Sequence, residues 1–233
     1  MAAHVNEVVL PGDILQELSD SEQYPKLRLG PGLRIDVDNV VVCKCGILRF
    51  REPSVFWVDT HQKRYVPVKG ENILGIVISK AGDVFKVDIG SSEMATLSYL
   101  AFEGATKRNR PNVQIGDLIY GKLLVANKDM EPEIVCIDST GRSSGLGVIS
   151  GGFMFKCSLG LVRKIVSPDC QLMKLLGKHM PYETAVGLNG RIWIKAKTLS
   201  HTIAISNAVC CAEYMSKKQT EVMVKQIVSS QWT

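Results

Sequence analysis

Three cations crowd one short tract, Lys107-Arg108-Asn109-Arg110-Pro111. Ammonium and guanidinium groups hold phosphate oxygens without reference to base identity, so such a tract suits the backbone of a nucleic acid. A solvated loop that happens to be basic is the competing reading, and residue types alone leave both open. Lys80 and Lys86, on β-prone runs nearby, are second-rank candidates for the same contact, with ordinary exposed lysines as their alternative.

Other chemistries find less support. Asp83, Asp88, Asp117 and Asp138 fall at expected turns and strand ends, where Asp commonly makes local hydrogen bonds. His4, His61, His179 and His201 pair with no Ser or Cys motif, and no glycine-rich phosphate loop occurs. No catalytic residue is therefore assigned, and an intrinsic nuclease is disfavoured. Cys43, Cys45, Cys136, Cys157, Cys170, Cys210 and Cys211 lack the paired Cys-x-x-Cys knuckles of a structural zinc site. Neither metal, disulfide nor other cofactor is expected.

The elements that must position the basic tract are β-rich. Runs near 73–79, 83–89, 94–99, 117–125 and 133–138, punctuated by Gly82-Asp83 and Gly90-Ser91-Ser92, have the spacing of a five-stranded oligonucleotide-binding barrel. The basic tract lies in the long crossing between its third and fourth strands. Phe85 and Lys86 alternate, so one enters the core and the other faces out, with Phe85 the better core candidate.

Before this barrel, the first seventy residues alternate β-prone runs (Glu7 to Leu10, Leu33 to Val42, Gly46 to Phe50, Val55 to Val58, Tyr65 to Val68) with Gly and Pro breaks, which predicts a small all-β unit over 1–70. Ser19 to Gln23 reads as a polar loop of weak order. After the barrel segment, 71–144, the stretch Ser139 to Gly152 is rich in Gly and Ser, which disfavours regular structure and favours a joint.

Residues 145–233 then read as strand, two helices, two strands and two helices, the order of a KH module of type I. Leu159, Val162 and Val166 share one helix face, and a second helix is expected from Ser167-Pro168, with Ser as cap and Pro in its first turn. A long helix from Thr198 to Tyr214 precedes a shorter one opened by the capping-box pattern Ser216-Lys-Lys-Gln219. The segment between the first two helices, Val166-Ser167-Pro168-Asp169, has none of the glycines of a KH phosphate clamp. Gly187-Leu188-Asn189-Gly190 matches the clamp in letters only, because Arg191 to Lys195 alternates like a strand; Asn-Gly there signals a hairpin turn. Trp193, facing opposite to Ile192 and Ile194, is expected to pack against the barrel rather than stack on a base.

Charge bears on the same question. Of the formal +5, residues 145–233 carry eleven basic against four acidic residues, whereas 71–144 carry eight against ten. RNA binding by the barrel must therefore rest on the local cluster. Met1 to Glu7 lacks a signal-peptide pattern, and nowhere do about 18 apolar residues run together. The expectation is an intracellular protein in a reducing compartment with no membrane partner.

A β-rich N-terminal unit, an S1-type barrel and a divergent KH-like module carrying Gly-x-Asn-Gly together resemble the cap subunits of the RNA exosome over nearly the whole chain. The stretches Glu103 to Gly121, Asn127 to Glu133 and Gly190 to Lys197 carry the likeness. The resemblance implies a noncatalytic subunit that sits with other cap subunits on a ring, stabilises it and guides single-stranded RNA into a central channel toward an associated nuclease, in nucleus, nucleolus and cytoplasm. It implies that Gly187, Asn189 and Gly190, with Trp193 beside them, pack between barrel and KH-like module, and that Lys107, Arg108 and Arg110 touch phosphate at the channel entrance. A free-standing S1/KH factor and a pure scaffold are the alternatives.

Overall fold

A computed structural model of the chain describes residues 5–18, 27–37, 39–127, 129–168 and 170–231. They gather into two compact units, Met1–Gln62 and Lys63–Thr233.

The first unit contains β1 (Val8–Val9), β2 (Arg28–Leu29), β3 (Leu33–Asp36), β4 (Asn39–Val42), β5 (Gly46–Arg51) and β6 (Val55–Asp59). One sheet has the order β1-β5-β6-β2, and β3 with β4 forms a separate ribbon. Their alternating apolar residues, among them Val9, Val42, Leu48, Phe56 and Val58, make a common core. The run Leu33 to Val42 is not one strand: it folds back on itself, pairing Leu33 with Val42 and Asp36 with Asn39 through Val37 at φ 55°. The polar segment Ser19 to Gln23 lies outside the described residues, as do His4 and Lys128.

In the second unit, β7 (Asn72–Ala81), β8 (Val84–Asp88), β9 (Ala95–Ser98), β10 (Leu118–Val125) and β11 (Glu133–Val135) form the expected barrel, ordered β11-β9-β8-β7-β10 and closed by a β10–β11 pairing. Alternation places Ile73, Val77, Phe85, Val87, Leu97, Ile119, Leu123 and Ile134 in its core. Phe85 points inward and Lys86 away from that core. Gly121 sits where the closing strand crosses: a Cβ there would strike Ile134 Cγ2. Tyr65, read as part of an N-terminal strand, is in no strand and instead packs into the barrel core, its hydroxyl donating to Glu71 at 2.6 Å.

A sixth strand, β12 (Gly147–Ile149), lies inside the Gly/Ser-rich stretch where regular structure was disfavoured. It pairs with Leu118, Ile119 and Tyr120, whereas β11 covers β10 only from Lys122 onward. The open edge of β10 presents unmet backbone groups, and satisfying them outweighs the weak local propensity of β12.

The KH-like module follows as β13 (Phe153–Lys156), α1 (Leu159–Val166), α2 (Leu172–His179), β14 (Tyr182–Gly187), β15 (Arg191–Ala196), α3 (Leu199–Cys211) and α4 (Lys217–Gln231), with antiparallel sheet order β13-β15-β14. Leu161, Val162, Ile165, Leu172 and Leu176 bury against Ile192, Ile194, Ile205 and Val209. The buried face of α1 thus runs through Ile165, and Val166 is exposed, contrary to the expected face. Nor does Ser167 cap α2. It closes α1, donating its N–H to Arg163, and its carbonyl accepts from Cys170, so Pro168 serves a turn and α2 begins only at Leu172. Asp169 is outside the described residues. The capping box at α4 does form: the Ser216 N–H donates to Gln219 Oε1 at 2.8 Å, and the Gln219 N–H to Ser216 Oγ at 3.4 Å. That helix, expected to be the shorter, spans 15 residues against 13 in α3.

The closing seam of the barrel yields a test. Gly121→Ala is expected to lower unfolding free energy by about 1–3 kcal/mol, because the added methyl displaces Ile134; urea titration measures it, and an unchanged midpoint would rule out a tight seam.

Candidate nucleic-acid interface

The basic tract is built from a sequence of small local locks. Beyond β9, Ser98 Oγ accepts from the Leu100 N–H and starts a short 3-10 turn over Tyr99–Ala101. Gly104, at φ 67°, then reverses the chain. Asn109 donates its backbone N–H to Thr106 Oγ1 at 3.0 Å and its side-chain Nδ2 to the Gly104 carbonyl at 3.3 Å, while its own carbonyl accepts from the Thr106 N–H at 3.0 Å. Lys107 and Arg108 are the two residues between these anchors. Both are exposed, and among the described residues neither is recorded in an ion pair.

Arg110 is placed differently. Its guanidinium carbon lies 4.9 Å from the centroid of the Tyr99 ring, and Nη1 is 3.1 Å from Asp83 Oδ1 in the β7–β8 turn. The Tyr99 N–H donates to the Asp83 carbonyl, so turn, ring and guanidinium form one cluster at this end of the barrel. Lys80 Nζ, at the end of β7, lies 5.4 Å from the centroid of the Phe85 ring. Lys86 is held 2.6 Å from Glu131 Oε2. The structure therefore brings Lys80 and Arg110 to the β7–β8 turn, leaves Lys107 and Arg108 unpaired at the loop tip, and occupies Lys86 with a carboxylate.

A second turn braces the loop. Glu103 accepts from the Ser143 N–H at 2.9 Å, and hydrogen bonds from Ser143 hold its carboxyl below the usual value. Asp138 is lowered likewise by the Thr140 N–H, the Thr140 hydroxyl and the Ser144 hydroxyl.

Gly187, Asn189, Gly190 and Trp193 lie at a different place, where the β14–β15 hairpin meets the barrel. Asn189 is 7% exposed; its Nδ2 donates to the carbonyls of Leu74 at 2.7 Å and Ile89 at 2.8 Å, and its Oδ1 accepts from the Leu74 N–H at 3.2 Å. A Cβ on Gly187 would come within 2.6 Å of the Leu74 nitrogen, and Gly190 turns at φ 78° with the Cys157 carbonyl 2.8 Å from where a Cβ would stand. Trp193 packs with Leu74 and Ala185 and donates Nε1–H to the Gly151 carbonyl at 2.7 Å.

Sequence reading missed Arg191. It is 3% exposed, donates Nη1 to the Asp88 carbonyl and pairs Nη2 with Asp88 Oδ2, both at 2.6 Å. The signal available was its spacing: two positions before Trp193 on a strand, it shares that residue's face. Burial raises the Asp88 carboxyl, but the Arg191 guanidinium and the Gly90 N–H outweigh it and hold the group below its ordinary value. Tyr99 and Asp83, which fix Arg110, left no recognisable mark in the sequence.

A closed S1-type barrel with a basic loop, joined to a KH-like module, defines a nucleic-acid-binding class of protein. Matches to known families are consistent along the chain: residues 7–61 match the N-terminal region of mammalian exosome complex component RRP40, 65–147 its S1 domain and 152–200 a KH domain. Exosome complex component RRP40 of Mus musculus is 52% identical, covering 97% of this chain and 92% of its own length, and that of Homo sapiens is 50% identical over the same shares. The chain belongs to the exosome component RRP40 family. A solved structure described as that of an exosome complex RNA-binding protein superposes with a TM-score of 0.62 at 22% identity, covering 73% of this chain and 98% of that one, a likeness of fold.

Two outcomes follow from the joint. Asn189→Ala leaves buried carbonyls unmet and is expected to cost about 2–4 kcal/mol; the isosteric Asn189→Asp, which places carboxylate oxygen against two carbonyls, is expected to cost more, both read by urea unfolding. Because the Asp88 carboxyl is lowered, its stabilising effect is complete above its unfolded value and fades as pH falls from about 4 downward. The melting temperature of Asp88→Asn should therefore depend less on pH than wild type between about pH 5 and 3; parallel curves would disprove the linkage.

Proposed function

We propose that the chain is a noncatalytic RNA-binding cap subunit of an exosome, which stabilises a ring of other subunits and guides single-stranded RNA past the barrel loop toward a nuclease carried by another subunit. The observation that carries the reading is the exposed Lys107–Arg108 tip, two cations with no ion pair among the described residues, held out by the Thr106–Asn109 lock on an S1 barrel. Binding through phosphate alone is indifferent to sequence, which suits a processing and degradation machine. Membership of the RRP40 family supports the partners: exosome ring and cap subunits, and RNA. The same reading extends to rRNA processing and to residence in nucleus, nucleolus and cytoplasm.

The noncatalytic part is supported by how the aspartates are used. Asp83 holds Arg110, Asp88 holds Arg191, Asp117 Oδ2 accepts the Gln114 N–H at 2.8 Å, and Asp138 organises its own turn. Each carboxylate maintains local structure. Among the described residues no group of three His, Cys, Asp or Glu side chains is arranged to hold a metal ion.

The test is a salt series of fluorescent single-stranded RNA binding to the full chain with Lys107→Ala and Arg108→Ala combined. The slope of log affinity against log salt should become shallower by about 1.4, the loss of two single-strand phosphate contacts. An unchanged slope in a folded variant would leave the loop as scaffold and sink this reading.

A further inference from the structure

Arg110 differs from its two neighbours in a way that suggests a different ligand. Its guanidinium carbon lies 4.9 Å from the ring centroid of Tyr99, a residue only 6% exposed, and its Nη1 is paired with Asp83. The Asp83 carboxylate already offsets its charge, which weakens its claim on phosphate. Yet the Arg110 side chain is 53% exposed. A planar cation held beside a ring and paired with a carboxylate, with about half of its side chain open, can present a face to solvent.

We propose that Arg110 is a base-stacking platform: an unpaired nucleobase of single-stranded RNA lies on the outer face of the guanidinium while Lys107 and Arg108 take the adjoining phosphates. The inference rests on the RNA-guiding role given above and assigns the base-facing part of that site. Guanidinium planes stack on nucleobases much as aromatic rings do, and the contact tolerates any base because every base has a π face. Tyr99 and Asp83 are positioning residues: the ring sets the tilt of the plane and the carboxylate its rotation. Lysine cannot replace Arg110 here, since an ammonium group has charge but no plane.

The experiment compares two probes of equal length and phosphate count at low ionic strength, fluorescent oligoadenylate and its abasic counterpart, on the full chain. Arg110→Ala and Arg110→Lys should each weaken oligoadenylate binding about fivefold or more, the lower end of one lost stack, and leave the abasic strand unchanged. The Lys107→Ala, Arg108→Ala double variant should weaken both probes alike. Restoration by Arg110→Lys, an equal loss on the abasic strand, or no loss on either probe overturns the stacking role. If the double variant instead binds both probes as wild type does while Arg110→Lys loses only oligoadenylate, the phosphate-guiding reading fails and the base contact stands. Thermal melts of each variant separate loss of contact from loss of fold.

Discussion

The Asn189 carboxamide is the point at which barrel and KH-like module become one body. In β7, Leu74 pairs with Tyr120 of β10 on one side, but on the other side the ladder to β8 reaches only from Ala81 to Ile76. Beyond that end, the Leu74 N–H and carbonyl have no strand beside them. Asn189 supplies one: its amide has the donor and acceptor of a peptide group, and it bonds to both. Aspartate lacks the donor and glutamine carries the group a methylene too far. The glycines at 187 and 190 are the corollary, since the hairpin must come close enough for a short side chain to act as a strand.

That joint and the basic loop are connected through β8. Asp83 precedes the strand and orders Arg110; Asp88 ends it and binds Arg191. The two residues are five positions apart, about 17 Å of extended backbone, along a strand held on both sides by β7 and β9. The buried guanidinium of Arg191 would be costly without Asp88, so the module's hairpin holds one end of β8 while the turn at the other end pairs with Arg110 beside Tyr99. The place of Arg110 thereby depends on contacts beyond the loop, whereas the loop's own turn bonds hold Lys107 and Arg108.

The five barrel strands and the β14–β15 hairpin were legible because alternation and Asn-Gly chemistry act locally. The elements that sequence misread depend on distant partners. β12 forms from Gly/Ser-rich chain because β10 offers an open edge, and Leu33 to Val42 doubles back although its composition would suit one long strand. Ser167-Pro168 has the residue types of a helix start but is used to end α1. At the candidate site, the exposed cations Lys107 and Arg108 could be picked out by type, whereas the distinct role of Arg110 arises from Tyr99 and Asp83, eleven and twenty-seven positions away in sequence.

Segment charge misleads for the same reason. Residues 145–233 hold the whole positive surplus of the chain, yet two of those cations, Lys164 and Arg191, are committed to structure. Lys164 Nζ donates to the carbonyls of Ala212, Glu213 and Met215 at 2.7, 3.1 and 2.8 Å, satisfying carbonyls at the C-terminal end of α3. Arg191 is buried in the joint. A cation saturated by three carbonyls or sealed against a carboxylate has few donors left for phosphate, so a count of charges by segment overstates what Lys164 and Arg191 can offer a ligand.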